Sequence, residues 1–214
     1  MLRLHGVYRS RAARNIWLLE ELGLPYDHVP VVQRYRLSDE QAETRIHTQS
    51  ETFRSMSPAA AIPVLQDGDL ILSESMAINL HIARTQGKDL GPRDEREQAM
   101  MDQWSYYGIT AIEPPALELL YADQATDDGR AQVSAAAEKL RRPLSVVNGA
   151  LAETGWLVGG RFTVADINMA EVVRYAMPAS GLIEGFPDLQ HWITQLHARP
   201  AFRKMWQARE AETL

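Results

Sequence analysis

The 214-residue chain contains no cysteine. That absence excludes a disulfide framework, a thiolate zinc site, a Cys-x-x-Cys redox pair and a cysteine nucleophile together. Any thiol chemistry must use a thiol brought in by a ligand. No apolar run approaches the ~18 residues of a membrane span, and Met1-Leu2-Arg3-Leu4-His5 lacks the apolar core of a signal peptide. The expectation is a soluble, cytoplasmic protein with no membrane partner. Positive charge is scarce: 22 Lys and Arg face 28 Asp and Glu, a net charge of -6, with no basic block. Nucleic acid is not an expected partner. There is no glycine-rich phosphate loop, and the six histidines (5, 28, 47, 81, 191 and 197) show no metal-ligand spacing, so neither metal nor nucleotide is assigned. Repeats and low-complexity tracts are also missing. What remains is ordinary globular composition, 45% hydrophobic and 23% charged, and enough length to bury a sizeable core.

Leu2 to His5 alternates apolar and polar positions and is closed by Gly6, which predicts a first strand. Ser10 then precedes Ala12, Ala13, Ile16, Trp17, Leu19 and Leu22, one apolar helical face ended by Gly23. Tyr26 to Val32 reads as a strand whose Pro30 cannot donate to a ladder and so belongs on a sheet edge or at a bulge, which makes this strand an expected edge. Residues 33 to 57 are polar and predict a long surface connection with one weak helical stretch around Ser50 to Met56. Ile62 to Gln66 and Leu70 to Leu72 flank Asp67-Gly68-Asp69, a hairpin signal, and Ser75 opens a helix ended by Gly87. Beyond Gly91-Pro92 the pattern becomes helical throughout. Helices are expected at about Asp94 to Tyr121, kinked by Pro114 and Pro115, then Gln132 to Glu153, Thr163 to Met177, Leu189 to His197 and Pro200 to Arg209.

This order, β-α-β then β-β-α with a proline opening the third strand and an all-helical second half, resembles the cytosolic glutathione transferases. The resemblance rests on SRAARNIWLLEELGLPYD (Ser10 to Asp27), SPAAAIPVLQDGDLILSES (Ser57 to Ser75), GRFTVADI (Gly160 to Ile167) and FPDLQHWITQLHARPAF (Phe186 to Phe202). It is closest to the serine type, bacterial-like. It implies an α/β thioredoxin-like N-terminal domain over 1–87 and an all-α C-terminal domain over 93–214 that contributes an electrophile site. It also implies glutathione as co-substrate with no permanently bound cofactor, a homodimer, and a detoxifying conjugation in the cytoplasm.

The site residues follow from the resemblance. The bond before Pro63 would be cis, so that the backbone of Ile62 pairs with the cysteinyl part of glutathione like an added strand; an ordinary strand-opening proline is the plainer reading. Ser75 would bind the γ-glutamyl carboxylate at a helix start, with Glu74 facing its ammonium. A simple helix cap is the alternative, and the two are compatible. The thiol must become a thiolate, since that form is the nucleophile and a free cysteine thiol has a pKa of ~8.5. Lowering it by ~2 needs about 2.7 kcal/mol. One hydrogen bond to a charged acceptor supplies ~1.5–3 kcal/mol, and a helix dipole roughly 0.3–1 kcal/mol. Ser10 and Tyr8 compete for that role; the SRAAR context points to Ser10, although Ser10 can also be read as an N-cap.

The chain departs from the family pattern at Ala60 and Ala61, where a glycine and a basic residue are usual. That removes a possible cation for the glycine carboxylate, and Gln49, Arg34 or Arg36 stand as substitutes. Trp104, Tyr107, Ile109 and Ile112 offer an apolar wall on the second domain's first helix. Such stripes also make core, so one or two of these residues are expected to touch an electrophile, with Trp104 and Tyr107 as the candidates and Tyr107 the first of them. Thr163 to Asp166 reads as a structural capping box. Two rivals use the same fold: a glutathione-dependent peroxidase or disulfide reductase acting by thiolate attack on an external peroxide or disulfide, and a non-catalytic binding protein.

Overall fold

The computed structural model describes residues 1–213. It divides into two compact units, one of residues 1–82 with 199–213 and one of residues 83–198.

The first unit holds a four-stranded sheet in the order β2-β1-β3-β4, built from β1 (Leu2–His5), β2 (Tyr26–Val29), β3 (Val64–Asp67) and β4 (Leu70–Ser73). β1 is parallel to β2 and antiparallel to β3, and β3 is antiparallel to β4. β2 is an edge, as Pro30 required, and it stops at Val29, one residue before that proline. α1 (Ala12–Leu22) fills the β1–β2 crossover and ends on Gly23 in the left-handed conformation, φ 61°, whose N–H returns to the carbonyls of Leu19 and Glu20. Ile16, Trp17, Leu18 and Leu19 are buried with Leu4, Leu65 and Ile78 of β1, β3 and α4 (Ser75–Gln86).

The connection from 33 to 57 is more structured than its polarity suggested. It contains a 3-10 turn at Arg34–Arg36, α2 (Asp39–Thr44) and α3 (Glu51–Arg54). α2 has no buried residue, so no apolar stripe announced it. Its start is nevertheless encoded: Ser38 accepts from the Gln41 N–H and Gln41 accepts from the Ser38 N–H. The connection is tied down by a bridge between Val32 and His47 and by Phe53, which is fully buried against Val31 and Val64. The final helix, α10 (Pro200–Ala211), belongs to this unit and packs on α1.

The second unit is helical: α5 (Glu95–Tyr107), α6 (Glu113–Tyr121), α7 (Asp127–Thr154), α8 (Val164–Val173) and α9 (Pro187–His197), followed in the chain by α10 (Pro200–Ala211) of the first unit. The expected kink between 94 and 121 appears as a π-helical turn at Gly108–Ile112, one turn ahead of Pro114 and Pro115. Neither proline has an N–H to return up the helix, so the preceding turn widens. α7 begins five residues earlier than Gln132, capped by Thr126 accepting from the Gly129 N–H at 3.0 Å. Arg161 forks onto Glu97, both contacts at 2.7 Å, and donates to the carbonyls of Asp89 and Gly91. Gly159 must be glycine there, since its φ is +64° and a Cβ would lie 2.2 Å from the Arg161 guanidinium. Thr163 and Asp166 form the capping box read from the sequence, and the Asp166 carboxylate also accepts from Leu157 N–H and the Trp192 indole.

Candidate active site

Sheet topology brings the candidate residues of the first unit to one end. β1 and β4 are both antiparallel to β3, so they run the same way and the helices after them start at the same end of the sheet. β3 runs oppositely, so its entry point, Ile62-Pro63, lies at that end too. One row of paired residues, Val29, His5, Val64 and Ser73, marks it. Gly6 then turns the chain into α1 so close to this corner that a Cβ on it would lie 2.7 Å from the Cβ of Ala12 and within 4 Å of Ile62 and Pro63. The Ile62–Pro63 bond is cis, and the sheet ladder begins only at Val64.

At the start of α4, Ser75 is buried and its hydroxyl accepts from Arg14 at 3.2 Å, while its carbonyl accepts from Asn15 at 2.8 Å. Asn79 accepts from Asn15 and donates to the Arg14 carbonyl, which fastens α4 to α1. Glu74 is exposed and has φ +72°, a left-handed conformation that costs a non-glycine residue of order 1 kcal/mol. Observed strain of this kind concentrates at ligand-binding corners.

The two competing hydroxyls occupy different surroundings. Ser10 is half-buried at the head of α1; its hydroxyl donates to the Val7 carbonyl at 2.7 Å and accepts from the Ala12 N–H at 3.1 Å. The cap position of α1 is Arg11, which has no side-chain capping bond, so Ser10 stands one residue ahead of the cap that the plainer reading gave it. Tyr8 packs its ring edge-on to His28, with centroids 5.0 Å apart, and its hydroxyl bonds to Tyr26. Burial pushes the Tyr8 hydroxyl above its ordinary pKa, outweighing the bond to Tyr26.

Of the residues considered for the glycine carboxylate, Gln49 is exposed and its N–H donates to His47. It lines a shallow depression of about 430 Å³ with Glu51, Arg54, Ser55 and Pro58, none of them another candidate residue. Arg34 is held by the Leu37 carbonyl and Asp39. Arg36 reaches the β1–α1 turn, donating to the Arg9 carbonyl at 3.0 Å. In the second unit, Trp104 and Tyr107 meet edge-to-face at 5.8 Å; Trp104 is core and Tyr107 is half-buried, its hydroxyl pKa raised by burial.

Sequence reasoning missed the part of α10 in this corner. Glu212 accepts from the N–H groups of Tyr8 and Arg9 at 2.9 and 2.8 Å, and Arg209 donates to the Tyr8 carbonyl. No periodic signal marks two residues some 200 positions away as partners of the first turn.

Comparison with known proteins accounts for both halves of the chain. The profile for "Glutathione S-transferase, N-terminal domain" matches residues 4–92, and that for "Glutathione S-transferase, C-terminal domain" matches residues 98–200. A glutathione S-transferase of Hyoscyamus muticus is 31% identical over 216 aligned positions, covering 95% of this chain and 96% of the relative. Among solved structures, glutathione S-transferase III in apo form superposes with a TM-score of 0.77 at 30% identity, covering 100% of this chain and 99% of that one. The theta class glutathione S-transferase of Xanthomonas axonopodis pv. citri, solved with glutathione bound, gives 0.78 at 25% identity over 95% of each chain. A thioredoxin-like sheet, a helical second unit and full-length relatives in both kinds of comparison agree: the chain belongs to the glutathione S-transferase family and is a glutathione transferase.

Proposed function

We propose that the protein joins the thiolate of glutathione to an apolar electrophile, with Ser10 stabilising the sulfur anion. The observation that carries this is the convergence of the α1 head, Ile62-Pro63 and Glu74-Ser75 at one end of the sheet. An extended tripeptide fits such a corner: its cysteinyl backbone beside Ile62, its γ-glutamyl carboxylate at the start of α4 near Ser75, its ammonium towards Glu74. The left-handed backbone of Glu74 supports a ligand role there. Glutathione binding seen in the citrus canker relative supports glutathione as the co-substrate here.

Ser10 donates to a neutral carbonyl, that of Val7. A bond to a charged acceptor is worth ~1.5–3 kcal/mol against ~0.5–1.5 kcal/mol for a neutral pair, so a thiolate within reach draws the hydroxyl away from Val7. Tyr8 is engaged with Tyr26 and His28, which favours Ser10 over it. The thiol proton leaves to solvent. The thiolate then attacks the electrophilic carbon, the carbon–sulfur bond forms, and the leaving group departs with its electron pair; in an addition, that pair moves to the neighbouring atom and is protonated there. Proximity and sulfur-charge stabilisation supply the rate. We assign glutathione binding to residues 1–87 and electrophile contact to Tyr107 in the helical segment beginning at residue 93. Family membership supports a cytoplasmic homodimer.

The test is ultraviolet absorbance of the bound thiolate across pH in the parent, Ser10→Ala and Tyr8→Phe. Ser10→Ala is expected to lose most of the thiolate signal near pH 6.5 and Tyr8→Phe to keep it. Full signal in Ser10→Ala overturns the donor assignment, and no heat of binding with millimolar glutathione overturns the catalytic reading as a whole.

A further inference from the structure

The turn that delivers Ser10 has an unusual set of hydrogen-bond partners. All four backbone polar groups of Tyr8 and Arg9 are satisfied by charged side chains. The Tyr8 N–H donates to Glu212 Oε1 at 2.9 Å and the Arg9 N–H to Glu212 Oε2 at 2.8 Å. The Tyr8 carbonyl accepts from Arg209 and the Arg9 carbonyl accepts from Arg36 at 3.0 Å. Arg9 closes the ring by donating its Nε to the Arg209 carbonyl at 3.1 Å. Every partner lies at least 27 positions away in sequence. An exposed turn can satisfy these groups with water, so three side chains from two distant elements fix something water would leave loose. Charge-assisted bonds are the stronger kind, and a carboxylate accepting from two successive N–H groups holds their peptide planes in one orientation. The bonded dipeptide immediately precedes Ser10, whose own hydroxyl spans back to Val7 across it.

We propose that the end of α10 is a clamp that positions the thiol-activating hydroxyl, with Glu212, Arg209 and Arg36 as positioning residues for Ser10. Glu212 is the central member because it alone takes two of the four groups. This rests on Ser10 being the thiolate donor, and it adds a requirement that assignment does not contain: α10, though remote in sequence, sets the geometry of activation. A hydroxyl displaced by about 1 Å costs up to 100-fold in rate. Glutathione affinity, carried by Ile62 and the Glu74-Ser75 corner, stays nearly constant.

The experiment compares the parent with Glu212→Ala, Glu212→Gln and a control, Glu210→Ala, whose carboxylate accepts from the Trp206 indole N–H. Amide hydrogen exchange at Tyr8 and Arg9, measured without glutathione, should quicken about tenfold or more in Glu212→Ala, with Tm within a few degrees of the parent. With glutathione and an aryl halide, kcat near pH 6.5 should fall by about 10- to 100-fold. KM for glutathione should stay within about twofold, and the bound thiol should titrate at higher pH. Glu212→Gln, which keeps one acceptor oxygen, should fall between, and Glu210→Ala should match the parent. Unchanged exchange in Glu212→Ala overturns the clamp. Faster exchange with unaltered kcat and thiol titration overturns the positioning role. If Ser10→Ala itself retains parental kcat, the donor assignment fails and the positioning step with it, a result separable from the exchange data.

Discussion

Replacing Asp166 with alanine removes the acceptor on which four donors converge. These are the Thr163 N–H at 2.8 Å, the Thr163 hydroxyl at 3.1 Å, the Leu157 N–H at 3.2 Å and the Trp192 indole at 3.0 Å. Asp166, Thr163, Leu157 and Trp192 are all buried, so water cannot replace the carboxylate without entering the second unit's core. The Thr163 hydroxyl can turn elsewhere; the other three donors cannot. At ~1–3 kcal/mol for each stranded group the loss is at least about 3 kcal/mol, a large share of the 5–15 kcal/mol typical of a folded domain. Asparagine keeps one acceptor oxygen and should lose roughly half as much. The carboxyl carries a pH signature as well. Burial holds it at about 6, above its ordinary 3.8, against the pull of its donors. Between about pH 4 and 6 the folded chain retains a proton that the unfolded chain has released, so this group's contribution falls as pH rises through that window and is level above it. The difference is about two pH units, or about 3 kcal/mol. Urea unfolding followed by circular dichroism from pH 4 to 8 measures both effects. Asp166→Asn should fall further short of the parent at pH 4 than at pH 7. A loss below about 1 kcal/mol in Asp166→Ala, or a parent–Asn gap that widens with rising pH, refutes the reasoning.

Three further substitutions concern the second unit. Arg161→Met breaks the fork to Glu97 and the contacts to two carbonyls and should cost about 2 kcal/mol near neutrality, a figure set below that of a deeply buried pair because some solvent reaches it. The hydrogen bonds from Arg161 hold the Glu97 carboxyl at about 2, below its ordinary 4.5, so the gap in urea stability should be constant above about pH 5 and shrink towards pH 3; a gap that persists undiminished at pH 2.5 contradicts this. Tyr107→Ala should raise KM for an aryl halide several-fold and leave KM for glutathione unchanged, whereas Trp104→Ala, at a core position, should cost about 3 kcal/mol of stability; equal rises in both KM values would remove Tyr107 from the electrophile site.

Local pattern alone was enough for most elements. The strand Leu2–His5, the α1 stripe with its Gly23 stop, the Asp-Gly hairpin and the Thr163–Asp166 box are all encoded within a few residues of where they act, through side-chain period, turn chemistry and capping. Pro30 marked β2 as an edge, and the order of the motifs carried the resemblance to the family. α2 escaped because a short helix without a buried face has no period to read, and the kink moved upstream because a proline disturbs the turn before it. Which strands neighbour one another, and therefore which residues share an end of the sheet, depends on long-range pairing. So do the engagement of Tyr8 with Tyr26 and the arrival of Arg36, Arg209 and Glu212 at the turn before Ser10. Hydrogen bonds between residues 27 to 204 positions apart follow from the packing of whole elements, and no window of the chain contains both partners.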